Sequence, residues 1–578
     1  MEVKQITIHN FRGVLDAEIA LHDYSLLVGP NNAGKSTVID AIRAFYEKDK
    51  FAFKKERDLP FADAEDTESW IELEFGLSED EYASLADEYK LADSTLRVRK
   101  FFQTTSKTHD NKPRSGSIFG YKTDGTLSEE PFYGAKNVQS GKFGDIIYIP
   151  AVSKVDEHAK LSGPSALRDL LTDVLKDVVE ASKTFEKFSK DFSDFASGIK
   201  TEKAADGRSL TGLEMELNKL LSGWGTEFKL KFNTPSTASI IKNMVSYDFV
   251  DEAHGESQEP EQFGSGFQRH FIYSLIQVGA RYAGKKAPKK TKEFTPSMTL
   301  ILFEEPEAFL HPPQQEALAA SLRELCSTPD RQVVCSTHSP HFVSKNTANI
   351  PSIIRLKRTG AIMTAHQIDE KGWNEIVDAN QAINRIAEKW PKLKKWLTDD
   401  DLKPEMEAVK HFLWLNPDRC GLFFADFALA VEGTTEQAFV NKLIGDGRIK
   451  NGDCGLYVLD CIGKENIHRF MNLLSNLGIP HATIHDDDEG RGSHHADLND
   501  LIEDSRNKDL TLNIRQIPRD LEELLGVPRS KAPHRKPQHI LYLYETKQIA
   551  DEKLADFTAL VESCLPTKDD NQQGNGKE

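Results

Sequence analysis

The segment Gly29-Pro30-Asn31-Asn32-Ala33-Gly34-Lys35-Ser36-Thr37 fits the pattern G-x-x-x-x-G-K-[ST] at every fixed position. A strand-like run, Ser25-Leu26-Leu27-Val28, feeds into it, and a helix-like run, Thr37-Val38-Ile39-Asp40-Ala41-Ile42, leads out. A chain with this order is committed to an α/β arrangement that ends a strand on a phosphate-binding loop. Small residues let backbone N–H groups curl around phosphates, and the helix N-terminus adds partial positive charge. Gly29, Asn31, Asn32, Gly34, Lys35, Ser36 and Thr37 are therefore expected to hold ATP. Lys35 would reach the β/γ-phosphates, and the Ser36 hydroxyl would hold Mg²⁺. The plain alternative, a glycine-rich turn that binds nothing, does not explain the strand before it and the helix after it.

At 578 residues the chain holds material for several domains. Its hydrophobic content of 39% and charged content of 28% are those of a globular protein. No run approaches the length of a membrane span. The start, Met-Glu-Val-Lys-Gln-Ile-Thr-Ile, alternates like a strand and lacks a signal peptide's apolar core, so a cytoplasmic location and no membrane partner are expected. The six cysteines are scattered without a C-x-x-C and read as reduced thiols. A net charge of −18 argues against indiscriminate coating of nucleic acid. It leaves room for a local DNA groove, since phosphate contacts depend on where Lys and Arg sit.

A P-loop needs carboxylates for Mg²⁺ and for water. Thr299-Leu300-Ile301-Leu302-Phe303-Glu304-Glu305-Pro306-Glu307 delivers two acids at the end of an apolar strand. Glu304 would bind Mg²⁺, and Glu305 would orient or deprotonate the attacking water. Phe263-Gly264-Ser265-Gly266-Phe267-Gln268-Arg269 precedes a helix-like run and resembles the signature motif of ABC-type ATPases. That resemblance implies that Ser265 and Gly266 contact the γ-phosphate of a second subunit, hence a homodimer or higher homo-oligomer. Cys335-Ser336-Thr337-His338-Ser339-Pro340 resembles the histidine switch of the same class, with His338 sensing the γ-phosphate. Gln139 is a candidate for the class's glutamine by position only. Leu167, Leu170, Leu171, Val174, Leu175 and Val178 repeat at helical spacing, which suggests a helical insertion serving either dimerisation or plain packing.

A second constellation follows. An apolar strand from Leu422 to Val431 ends on Glu432, Gly433 allows a turn, and Glu436 lies four residues on. Later, Ile479-Pro480-His481-Ala482-Thr483-Ile484-His485-Asp486-Asp487-Asp488 is again a short strand followed by acids. In an extended segment Asp486 and Asp488 would share one side. Glu432, Glu436, Asp486 and Asp488 form an E…E…D-x-D pattern that resembles a Toprim domain. Hard Mg²⁺ or Mn²⁺ prefers such oxygen ligands, and two ions can stabilise attacking and leaving oxygens in phosphodiester cleavage. Glu522 is the choice for a further metal ligand, ahead of Asp520. Lys536 is favoured over Lys531 as the lysine facing a transition-state phosphate. His485, His494 and His495 read as ordinary exposed loop histidines before transition-metal ligands. The basic runs at 285–290 and 392–395 read as solvated faces before phosphate contacts.

An ABC-type ATPase joined to a C-terminal Toprim domain resembles the OLD (overcoming lysogenisation defect) family of nucleases, with Gabija-type and retron-associated relatives. The resemblance implies an ABC ATPase in two parts, 1–160 and 246–385, around a helical insertion at 161–245. A helical linker at 386–420, a Toprim domain at 421–565 and a disordered tail at 566–578 complete it. It also implies ATP-linked, metal-dependent DNA nicking or cleavage, with Glu305, His338, Glu432, Asp486 and Lys536 carrying the chemistry. A role in antiphage defence with a helicase or reverse-transcriptase partner is a further expectation. Two other classes compete: a Toprim topoisomerase, for which no segment supplies a clear nucleophilic tyrosine module, and an ATP-driven clamp or sensor that does not cut. RNA, including tRNA, remains an alternative substrate.

Overall fold

The computed structural model describes residues 1–47, 51–60, 64–134, 143–151, 171, 182–221, 226–232, 236, 239–240, 245–250, 255, 257–258, 262–282, 294, 296, 298–327, 330–344, 347–390, 403–450, 455–488, 490, 492 and 494–566. Gln139, the basic runs at 285–290 and 392–395, the tail from 571, and all of the 167–178 leucine repeat except Leu171 lie outside the described residues. The chain divides into two units, Met1–Ala151 with Thr291–Glu578, and Val152–Lys290.

The first unit is built on three sheets. Apolar runs form a six-stranded sheet in the order Ile362–Gln367, Ile353–Thr359, Tyr24–Val28, Arg331–Ser336, Thr299–Glu304, Asp145–Ile149. Its last five strands are parallel, and Ile362–Gln367 closes the edge antiparallel. Tyr24–Val28 is buried along its whole length, as an interior strand covered on both faces must be. The helix Lys35–Tyr46 packs Val38, Ile39, Ala41, Ile42 and Phe45 into the core. The register pairs Glu304 with Ser336 and Ser336 with Leu27, so the P-loop, the paired glutamates and His338 emerge at one carboxyl edge. An antiparallel five-stranded sheet, led by Glu2–Phe11 beside Val14–Ala20 and Ser69–Gly76, shares this core.

The C-terminal part holds a parallel four-stranded sheet in the order Leu456–Asp460, Phe427–Val431, His481–Asp486, Thr511–Ile517. Helices Thr434–Gly445, Lys536–Glu545 and Asp551–Glu562 contribute Phe439, Val440, Ile540 and Phe557 to its core. Arg355, fully buried on the strand beside the P-loop strand, joins the two sheets. Its guanidinium donates to three backbone carbonyls of the C-terminal part: Ala425 at 2.7 Å, Leu477 at 3.1 Å and Gly478 at 3.3 Å.

The second unit contains helices Lys183–Thr201, Leu210–Leu221 and Ser265–Tyr282 and a short hairpin of Phe249–Val250 with Ser257–Gln258. Phe185, Phe188, Phe192 and Phe195 follow one another along one helix with ring centroids 6.0–6.3 Å apart. Among the described residues no helix is long and apolar enough to cross a membrane.

Candidate functional site

The nucleotide cleft is shaped by backbone first. Gly29 has φ +137°, and a Cβ there would lie 2.2 Å from the Leu356 carbonyl oxygen. Gly34 has φ +96° and abuts the Met363 side chain, so neither position accepts a larger residue. Asn31, Asn32 and Ser36 are exposed on the loop rim, while Lys35 and Thr37 are buried. Lys35 Nζ donates to the carbonyls of Gly29 and Pro30, each at 2.9 Å. Burial pulls this lysine down to about 8, against the attraction of Glu305 and Glu307.

Glu304 Oε2 accepts a hydrogen bond from the Tyr148 hydroxyl at 2.9 Å. Glu305 sits at φ +43°, and its Oε1 lies 3.4 Å from His338 Nε2. The His338 backbone N–H donates to Glu307 Oε1 at 2.5 Å. Burial, then the charge of Lys35, lowers the His338 imidazole below its ordinary value. Lys35, Glu305 and His338 thus share one cleft. Ser265 and Gly266 open the helix Ser265–Tyr282 of the other unit. The His338 ring also stacks on Phe424, with centroids 6.4 Å apart and planes 23° apart. Phe424 ends a 3₁₀ turn, Arg419–Phe424, just before the strand Phe427–Val431 that delivers Glu432.

The second site gathers at the carboxyl edge of the four-stranded sheet. Glu436 lies in the first turn of Thr434–Gly445, and its Oε2 accepts from the Gly433 N–H at 3.1 Å. The Asp486 N–H donates to Glu432 Oε2 at 3.3 Å. Asp486 closes its strand, but Asp488 has φ +57°, so a tight turn and not extended alternation brings both carboxylates inward. Asp487 Oδ1 instead accepts from the Arg519 N–H. Lys536 Nζ stands 3.1 Å from Glu522 Oε2, 3.6 Å from Glu436 Oε1 and 4.0 Å from Asp486 Oδ2. Burial opposes its charge, yet the three carboxylates hold its ammonium above the ordinary value. Asp520 caps the helix Leu521–Leu524 and pairs with Arg529, and Lys531 is exposed. His485 is a core residue, pulled down to about 4 by burial, with its Nδ1 3.0 Å from the Asp486 carbonyl. His495 Nδ1 lies 3.2 Å from Asp488 Oδ2. Sequence reasoning missed Lys464, whose Nζ reaches Asp488 Oδ2 at 3.1 Å. The Gly463-Lys464 pair at the end of a buried strand was the available signal.

The fit of a divalent cation rests on the oxygen donors. Asp486 Oδ1 is buried with no hydrogen-bond partner, an unmet acceptor of the kind a hard cation satisfies. Burial, then repulsion from Glu432, raises Asp486; burial, then Glu436 and Asp488, raises Glu432. Among the described residues no three His, Cys, Asp or Glu side chains by themselves close into a ligand set. The ammonium groups of Lys464 and Lys536 stand among the acids. The donor chemistry fits Mg²⁺ or Mn²⁺ and not a thiophilic metal.

Comparison with known proteins matches both domains. An AAA ATPase domain model matches residues 1–140 and 135–343, and a model of the TOPRIM domain of overcoming lysogenization defect protein-like proteins matches residues 423–488. The chain is 25% identical over 508 residues to the Old nuclease of Escherichia phage P2, covering 84% of this chain and 77% of that protein. It is 21% identical over 520 residues to the OLD nuclease of Thermus scotoductus, covering 84% and 82%. Endonuclease GajA of Bacillus cereus (strain HuB5-5) is 26% identical over 266 residues, covering 43% and 34%. With a P-loop ATPase fold over more than half its length and a second, acid-lined parallel sheet behind it, the chain belongs to the AAA ATPase domain family and carries a C-terminal OLD-like Toprim domain.

Proposed function

We propose that the protein is an ATP-regulated, divalent-metal-dependent DNA endonuclease. The observation that carries this reading is the convergence of Glu436, Asp486 and Glu522 around the Lys536 ammonium at one sheet edge, with Glu432 accepting from the Asp486 N–H. The similarity to nucleases of the same two-domain plan supports it. Glu432, Glu436, Asp486, Asp488 and Glu522 would hold Mg²⁺ or Mn²⁺, which supplies Lewis-acid stabilisation of phosphate oxygens and an activated water. Lys536 is only partly exposed and faces the same edge, where its fixed charge offsets negative charge growing on a scissile phosphate. In the other cleft, Ser36 and Glu304 would hold the nucleotide's Mg²⁺, Lys35 the β/γ-phosphates, and Glu305 the attacking water, with His338 beside the γ-phosphate. Ser265 and Gly266 would complete that site in a homodimer or higher oligomer. Cytoplasmic antiphage defence, with a helicase or reverse-transcriptase partner, is the setting in which such an enzyme would work.

Supercoiled plasmid incubated with the protein and Mg²⁺ or Mn²⁺ tests the reading. Metal-dependent nicked or linear product, free of any covalent protein adduct, is expected. An adduct would point to a topoisomerase. Failure to cut DNA with cutting of RNA would move the substrate class, and no cutting of either would favour the clamp.

ATP control has its own support in the His338–Phe424 stack, which sets a phosphate-sensing side chain against the segment leading to Glu432. Phe424→Ala is expected to keep ATP hydrolysis and ATP-free nicking within about threefold, a loss below about 1 kcal/mol. It should flatten the dependence of nicking on ATP, read from paired assays with and without nucleotide. An unchanged ATP response in that variant would remove the stack from the route.

A further inference from the structure

Lys464 is 3% exposed, and the hydrogen bonds of its ammonium go to one turn. Its Nζ donates to the Asp486 carbonyl at 2.6 Å, the Asp487 carbonyl at 3.3 Å and Asp488 Oδ2 at 3.1 Å. An ammonium has three donors and no acceptor, so this is a complete set. Burying a lysine is costly unless every donor is met and a counter-charge is close, and both conditions hold here. The segment that presents Lys464 is tied to the opposite side of the site. The Cys461 N–H donates to the Val431 carbonyl at 3.0 Å, and the Gly463 N–H donates to the Glu432 carbonyl at 2.7 Å. Gly463, at φ +113°, turns the chain so that the residue bonded to Glu432 is the immediate neighbour of the lysine. Residues 461–464 therefore bracket the site, holding the Glu432 turn through the backbone and the Asp486–Asp488 turn through one ammonium.

The two lysines of the site differ in kind. Lys536 is 24% exposed on its side chain and touches only carboxylate oxygens, contacts that a cation or a phosphate can replace. Lys464 is anchored mainly to backbone carbonyls beneath the acids and stays when the site fills. Asp488 also carries a left-handed backbone angle, which needs support from its surroundings to persist.

We propose that Lys464 is a positioning residue of the Toprim site: its ammonium is a permanent internal cation that locks the Asp486–Asp488 turn against the Glu432 turn and sets the carboxylate spacing a divalent ion meets. This rests on the metal-site reading above. It adds that the ligands are preorganised by an interior charge and not only by the ions they bind. Groups that orient metal ligands in this way change metal affinity by about 10- to 100-fold when removed.

The test is Mn²⁺ binding to the full chain, stripped of metal and without nucleotide, followed by the electron paramagnetic resonance signal of free Mn²⁺. Thermal unfolding is measured alongside. Lys464→Met is expected to fold and to bind Mn²⁺ about 10- to 100-fold more weakly than the native chain. Lys536→Met is expected to bind it at least as tightly, because it removes only a displaceable charge. Binding by Lys464→Met that equals or exceeds the native chain's would make the lysine a competitor for the metal and overturn the proposal. If Lys464→Met does not fold, Lys464→Gln, which keeps an N–H donor at that depth, takes its place with the same expectation. Failure of both to fold would reduce Lys464 to a requirement of the fold and also overturn it. A native chain that binds no Mn²⁺, or an Asp486→Asn variant that binds it unchanged, would strike the metal-site reading itself.

Discussion

Asp486→Asn should abolish cutting and, in the metal-free protein, make the Toprim domain more stable. The two effects have one cause. Glu432 and Asp486 are buried together; Glu432 raises Asp486, and Glu436 and Asp488 raise Glu432, beyond what burial does alone, so the two carboxyls are pushed up to about 7 for Glu432 and about 9 for Asp486. The folded chain then holds protons that the unfolded chain has released. For raised carboxyls the stabilising contribution is complete in acid and is lost as pH rises through the folded values. The metal-free native chain should weaken from about pH 4, where the unfolded carboxyls ionise, up to about pH 9, and Asp486→Asn should flatten that slope. Metal binding must expel these protons, so Mn²⁺ affinity should rise over the same interval. Activity moves the opposite way. Losing a direct carboxylate donor forfeits transition-state charge stabilisation of about 4 kcal/mol, roughly a thousandfold in rate. Plasmid nicking and chelator-treated unfolding curves at pH 7 and pH 9 check both halves. A variant that cuts normally, or one that is less stable than the native chain at pH 9, would contradict the account.

Lys35→Ala should weaken ATP binding by about 10- to 100-fold, the value of one charge-assisted hydrogen bond. In the structure Lys35 is folded back on the Gly29 and Pro30 carbonyls of its own loop. Removing its side chain leaves those carbonyls to water or to neighbouring N–H groups, so the fold should survive. Because burial brings the native lysine to about 8, ATP affinity of the native chain should fall as pH rises past that value, and the variant should lack this limb. Titration with a fluorescent nucleotide from pH 7 to pH 9 reads both. Metal-dependent cutting without ATP should persist in Lys35→Ala, while any effect of ATP on cutting should vanish. Equal ATP affinity in native and variant chains would remove Lys35 from the nucleotide site.

Much of this was legible in the chain because it depends on local order. Ser25 to Val28 read as the P-loop strand, and the structure gives Tyr24–Val28. The run to Glu304 read as an apolar strand ending on acid and is one; of the run from Leu422 to Glu432 only Phe427–Val431 is strand, because Arg419–Phe424 folds as a 3₁₀ turn. These signals survive because strand, turn and acid are consecutive. What escaped depends on contact across the sequence. Asp486 and Asp488 were expected to converge by extended alternation, yet the turn at Asp488 brings them together. Lys464 is 22 residues from Asp486, with nothing between them to mark the meeting. The His338–Phe424 stack joins residues with no shared motif. Asp520 stood in sequence as a weaker choice beside Glu522. Folding gives one to a helix cap and an arginine, and the other to Lys536.

Arg355 has a consequence for how such chains can diverge. The guanidinium beside the P-loop strand recognises three carbonyl oxygens, at Ala425, Leu477 and Gly478. Every amino acid supplies a carbonyl, so this anchor reads the path of the main chain and not the side chains at its three positions. Gly478 is the exception, since a Cβ there would run into the His366 ring at 2.4 Å. A chimaera that grafts a Toprim half of low identity onto this ATPase should therefore keep this one anchor if its two loops keep their lengths. A one-residue insertion at either loop would strand a buried positive charge, a penalty of about 3–5 kcal/mol.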